Sequence, residues 1–105
     1  MIEPMPMFAV ARSPQWSMVR RLHLEANGFC AACGGTKELE VHHIRPYHLF
    51  PELELAVANL ITLCNDEGRS CHYCFGHCFD WHSYNETVIH DAALWLYKVS
   101  HRARK

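Results

Sequence analysis

The sequence has no apolar run near the roughly 18 residues that a membrane-spanning helix needs, so no membrane partner is expected. Its opening stretch, MIEPMPMFAVARSP, is broken by prolines and too poor in consecutive apolar residues for a secretory signal. Without an export signal the default location is the cytoplasm. There a disulfide framework for the six cysteines has no oxidising compartment to form in. An excess of cations is missing too. Ten Lys and Arg against eleven Asp and Glu leave a net charge of −1, whereas a nucleic-acid-binding domain usually shows a basic face. A bound divalent metal shifts the local field toward positive even where the whole chain does not. Internal repeats, low-complexity tracts and a dedicated sequence-reading element are all absent.

What is present fits one soluble domain of 105 residues, half of them apolar. About two-thirds of the unfolded chain's surface can be buried at this size, which makes the core modest. Nine histidines accompany the six cysteines, and Cys with His at short spacings points to zinc.

Residues 1–13 read as an extended arm that can lend Phe8 and Val10 to the core. Ser13-Pro14 predicts a helix start, with Ser13 as N-cap and Pro14 in the first turn. Trp16, Val19, Leu22 and Ala26 recur at helical spacing, and Gly28 ends a helix over 14–28. Arg20 and Arg21 read as solvated surface charge. Leu39–Ile44 predicts a strand stopped by Arg45-Pro46, and Leu60–Leu63 a second one. The loop between them is long, which often marks function. A polar turn follows Cys64, and a short helix runs from Cys71 to about His77. The linker DWHSYN should pack Trp81 and Tyr84 back. Asn85 caps a final helix over 86–101, whose Val88, Ala92, Trp95, Leu96 and Val99 form a core or dimer face. Its basic end, with Lys98, His101, Arg102, Arg104 and Lys105, can meet phosphates or the helix dipole.

Cys30 and Cys33, two residues apart and followed by Gly34-Gly35, have the spacing of a zinc knuckle. No thioredoxin-like βαβ pattern surrounds them. With Cys64 and Cys71 they make four thiolates, a closed structural zinc site; Cys74 is a competitor for Cys64 or Cys71, and Cys78 reads as a spare buried thiol. His42, His72 and His77 can then hold a second divalent metal, with His82 as the alternative to His77. His43, pointing to the other side of its strand, is free to act as a general base near neutral pH.

The order CxxC, LEVHHI-P, ANLITLC and CH with a further His resembles the HNH endonuclease family over about Cys30 to Asn85. The ending CHYCFGHCFDWHSYN is similar to that of small phage and bacterial members. The resemblance implies an α+β fold: a small ββα-metal core over 30–85, stapled by a four-cysteine zinc site and flanked by N- and C-terminal helices. It implies His42 as the first metal ligand, His43 as the general base, Asn59 as the middle residue that orients the base or loop, and His72 and His77 as further ligands. Two spacings depart from the usual pattern: six residues separate Cys64 from Cys71, and His72 and His77 lie five apart. The reaction implied is hydrolysis of DNA phosphodiester bonds with Mg²⁺, Mn²⁺, Ni²⁺ or Zn²⁺, by a homodimer or within a larger phage or bacterial DNA-processing complex. The rival reading is a catalytically silent zinc module for nucleic acid or protein.

Overall fold

β-Formers and a period-two pattern give the two strands of this computed structural model, which describes residues 12–103. β1 (Leu39–His43) and β2 (Leu60–Cys64) pair antiparallel, with Leu39 opposite Cys64 and His43 opposite Leu60. Every residue of β2 is buried, because the ribbon is covered by other elements on both faces. Helix α1 (Trp16–Ala26) lies on one side. On the other lie a short turn of π-helix, His72–Gly76, and behind it helix α2 (Val88–Ser100). The architecture is a small α+β fold with, among the described residues, one two-stranded sheet.

The buried core is assembled around the ribbon from Cys30, Ala32, Ile44, Ile61, Leu63, Cys64, Cys71, Val88 and Ala92. Three of those nine are cysteines that belong to one cluster. Much of the centre is therefore sulfur rather than hydrocarbon, as the modest apolar reserve of a chain this size requires. The Cys30–Gly35 knuckle docks on β2 through the Ala31 amide, which donates to the Thr62 carbonyl at 2.9 Å. Asn85 clips α2 to the π-turn: its side-chain amide donates to the Phe75 carbonyl and to Asp91, and its own amide to the Gly76 carbonyl. Its side-chain oxygen accepts from the amide of Thr87, ahead of the first turn of α2.

Several expectations change. Helix α1 starts at Trp16, two residues past Pro14, although Ser13 still accepts from the Gln15 amide through its hydroxyl. It ends on Asn27, and Gly28 is not left-handed. Leu22 faces solvent, because the side that meets the ribbon runs through Trp16, Val19, Arg20 and His23. On α2 only Val88 and Ala92 are buried. Trp95 stays exposed, since the π-turn is the main element packed against the helix. Cys78 is exposed rather than buried, because it lies in the left-handed region (φ 53°) where the chain reverses after the π-turn. Phe8, Val10, Arg104 and Lys105 lie outside the described residues. Among those described, no helix is long and apolar enough to cross a membrane.

Candidate functional site

The sulfur cluster forms at the Leu39–Cys64 end of the ribbon. Cys30 and Cys33 come from the knuckle, Cys64 from the end of β2 and Cys71 from the start of the π-turn. All four Sγ atoms lie within 4.8 Å of one another. Cys33 and Cys64 are 3.8 Å apart, the separation of about 3.8 Å expected for two thiolates on one tetrahedral zinc at about 2.3 Å. The amides of Cys33 and Gly35 point at the sulfurs of Cys30 and Cys33, at 3.5 and 3.4 Å. That turn requires Gly34, whose φ of 76° is costly for any residue with a Cβ. A hydrogen bond from Cys71 pulls the Cys30 thiol down to about 4, while Cys71 is pushed up by the same contact and Cys64 by burial. Such crowded sulfurs ionise at one another's expense, and a divalent cation removes that conflict. The four cysteines can hold a zinc ion. Cys74 stands outside this group.

Residue 71 belongs to the sulfur cluster and residue 72 to the second cluster. His42 on β1 and His72 and His77 at either end of the π-turn bring their ring nitrogens together. His72 Nε2 lies 3.0 Å from His42 Nδ1 and 3.2 Å from His77 Nε2. In an α-helix residues five apart would diverge by roughly 140°. A turn closed by i→i+5 hydrogen bonds returns them to one side, so the π-turn absorbs the unusual His72–His77 spacing. Gly76 allows the close approach. A Cβ there would stand 3.1 Å from two atoms of the His42 ring and 3.2 Å from His72.

The outer nitrogens settle the tautomers. His77 Nδ1 donates to the Ser83 carbonyl at 2.8 Å and His72 Nδ1 to Asn65 Oδ1 at 3.1 Å. With Nδ1 as the donor, the neutral form of each ring turns its Nε2 lone pair toward the other. Burial, with repulsion from neighbouring rings, pushes His42 down to about 3 and His72 to about 4. His42 and His72 are therefore not imidazolium ions at neutral pH, and three ring nitrogens that converge in this way can hold a cation. Nitrogens bound at about 2.0–2.1 Å would be about 2.9–3.4 Å apart for angles between square and tetrahedral, so the spacing fits a divalent metal. His82 lies outside this trio but lines the adjoining cleft.

That cleft, of about 120 Å³, is bordered by His42, His43, His48, His77, Trp81 and His82. His43 sits on the opposite side of β1 from the trio, against Trp16 with ring centroids 4.5 Å apart. Its Nε2 is 2.9 Å from the Glu54 carbonyl. A carbonyl only accepts, so Nε2 carries the hydrogen and Nδ1 keeps the lone pair of the neutral ring. Burial lowers the pKa of His43, the Glu54 bond opposes that, and the nearby Arg12 lowers it further. Asn59 is buried and turns into the long loop. Its Oδ1 accepts from the Arg45 amide, and its Nδ2 donates to the carbonyls of Arg45 and Leu53. Four contributors were not marked in the sequence: Asn65, Gly76 and the carbonyls of Ser83 and Glu54. Only an asparagine next to Cys64, and a glycine between two histidines, offered any signal.

A two-stranded ribbon thus carries a sulfur cluster and an imidazole trio that could each hold a metal ion, with a further histidine, His43, at the edge of the same cleft. Residues 30–77 match the family model described as HNH endonuclease. The match points to a nuclease-type activity. No curated protein and no solved structure gives a significant match to the chain.

Proposed function

We propose that this chain is a metal-dependent HNH nuclease that hydrolyses DNA phosphodiester bonds, with residues 30–85 as its catalytic core. The observation that carries the reading is a fourth imidazole beside the converging three. His43 is held by a backbone carbonyl, borders the same cleft, and is left with a free lone pair.

His42, His72 and His77 would hold the catalytic divalent ion, and Cys30, Cys33, Cys64 and Cys71 a structural zinc. When bound, the catalytic ion supplies positive charge to a phosphate oxygen and to the departing 3′ oxygen. His43 Nδ1 takes a proton from water as the water oxygen attacks phosphorus in line. Glu54 keeps the ring in the required tautomer. Asn59 acts at one remove, as a positioning residue: it ties the strand exit at Arg45 to Leu53, and so fixes the carbonyl next in sequence against His43. Because burial keeps His43 below the ordinary histidine range, the ring is an unprotonated base at neutral pH.

The test is His43→Ala in a plasmid-nicking assay with added Mg²⁺, Mn²⁺ or Ni²⁺. Removing a positioned base should slow cleavage by about 10²–10⁴-fold, with zinc content and circular dichroism unchanged. Cleavage at the parent rate rules out His43 as the base. No cleavage by the parent with any of these ions leaves an inert zinc module as the better description.

A further inference from the structure

Next to the imidazole trio the chain builds an exposed aromatic shelf. Trp81 lies 4.8 Å from His77 and 5.3 Å from His72 by ring centroids, and 4.9 Å from Tyr73. Phe79 meets Tyr73 edge-on at 5.6 Å. Only part of each ring is used in these contacts: Phe79 is 65% exposed and Trp81 56%. The shelf is nonetheless held in place. The Phe79 amide donates to the Tyr73 carbonyl at 3.0 Å, and the Tyr73 hydroxyl donates to the Phe79 carbonyl. Asp80 accepts from the His82 amide and the Ser83 hydroxyl. Cys78 and Phe79 both adopt φ near +60° (53° and 64°), an unfavourable backbone that turns the Phe79 ring outward.

Cations are scarce around this site. No Lys or Arg among the described residues borders the cleft, and four arginines are engaged with acids: Arg12 with Glu54, Arg20 with Glu40, Arg21 with Glu25 and Arg45 with Glu86. Binding to a paired duplex draws chiefly on neutralised phosphates and released counterions. Lys37, Arg69, Lys98 and Arg102 are in no ion pair among the described residues, but none of them borders the cleft, so next to the imidazoles it is the aromatic rings that offer contact area. Single strands add a contribution that a paired duplex cannot make, the stacking of unpaired bases on aromatic faces. The cleft itself holds about 120 Å³. Trp81 forms part of its wall, so a base next to a phosphoryl group in the cleft can rest on that ring.

We propose that Tyr73, Phe79 and Trp81 form a stacking platform for unpaired bases, so that the substrate class is single-stranded or locally melted DNA. This rests on the nuclease reading for the cleavage step, whereas the stacking itself can be measured without turnover. Two arms separate the two claims. In the first, His43→Ala protein binds a fluorescently labelled oligodeoxynucleotide, followed by anisotropy, presented single-stranded, fully paired, or paired around an internal bulge. In the second, the parent protein with Mg²⁺ or Mn²⁺ cuts the same three.

The single-stranded and bulged forms should bind and be cut about tenfold better than the paired form. Adding Trp81→Ala or Phe79→Ala to the binding arm should weaken single-strand binding about tenfold each, with Trp81→Phe restoring most of it. Phe79 is the second variant because its ring contacts Tyr73 and not the histidines. If the paired form binds and is cut as well as the single strand, or if both alanine variants bind the single strand like the parent, the platform is overturned and the nuclease reading stands. Aromatic-dependent binding without cleavage of any form supports the platform and removes the nuclease reading. Neither binding nor cleavage removes both.

Discussion

The two ends of one short ribbon hold the same kind of feature, a cluster of metal-ligating side chains, and build it in opposite ways. At the Leu39–Cys64 end the cysteines number four, three of them buried, and backbone amides support their sulfurs. The set is complete, with no position left for a substrate. At the His42 end there are three imidazoles, each outer nitrogen of His72 and His77 is tethered to an oxygen, and a cleft opens beside them. Ile61, the partner of His42, is three residues from Cys64, about 10 Å along the strand. Cys71 and His72 join the clusters through a single peptide bond. The comparison teaches that a very small domain can place two candidate metal sites side by side, one with a closed set of ligands and one that opens on a cleft.

The largest effect that sharpens this contrast is Cys64→Ser against His72→Ala. A structural zinc contributes on the order of 10–16 kcal/mol to folding, as much as a whole domain's net stability. Cys64→Ser should therefore lose zinc and the cooperative urea transition together. His72→Ala should unfold cooperatively with its zinc retained, while an exchangeable second ion disappears from elemental analysis. Equal collapse of both variants would break the proposed division between the two ends.

A middle-sized effect is expected from Gly76→Ala. The added methyl meets His42 and His72 at 3.1–3.2 Å, so a ring must shift. Disturbing the support of a metal ligand commonly costs about 10–100-fold in affinity, and titration calorimetry with Mn²⁺ or Zn²⁺ should register a loss on that scale at the imidazole end alone. Unchanged affinity would show that the trio does not depend on the close approach at Gly76.

The smallest effect is a pH dependence. Folding lowers His42 and His72 from 6.5 to about 3 and about 4, so between these values the unfolded chain binds more protons than the folded one. Their contribution to stability is full above about pH 6.5 and is lost as pH falls through about 4 to 3. In urea melts from neutral toward acid pH, the parent should lose more stability than His72→Gln, a comparison that cancels the acid sensitivity of the thiolates. Parallel curves would mean that His72 does not enter the folded state as a neutral ring.

Much of the site could be read from residue types and their spacing. Cys30, Cys33, Cys64 and Cys71, and His42 with His72 and His77, are residue types with few other reasons to crowd together. The two strands follow from β-branched and apolar runs with proline at the exit of the first. Three features were not legible. The π-turn has no spacing signature of its own, so a five-residue interval between histidines reads as an anomaly until the backbone is seen. The outward Trp95 and Cys78 depended on which elements happen to cover α2 and on a reversal after His77. Asn65 gave little sign that it would orient His72.

The sequence by itself determined which atoms are available to bind metal, because sulfur and imidazole nitrogen belong to particular side chains and remain with them in any fold. Tertiary structure alone decided which ring nitrogens carry the hydrogen and which keep a lone pair. That choice is made by the Glu54 and Ser83 carbonyls, groups that every residue possesses, and only packing brings these two within hydrogen-bonding distance of a ring.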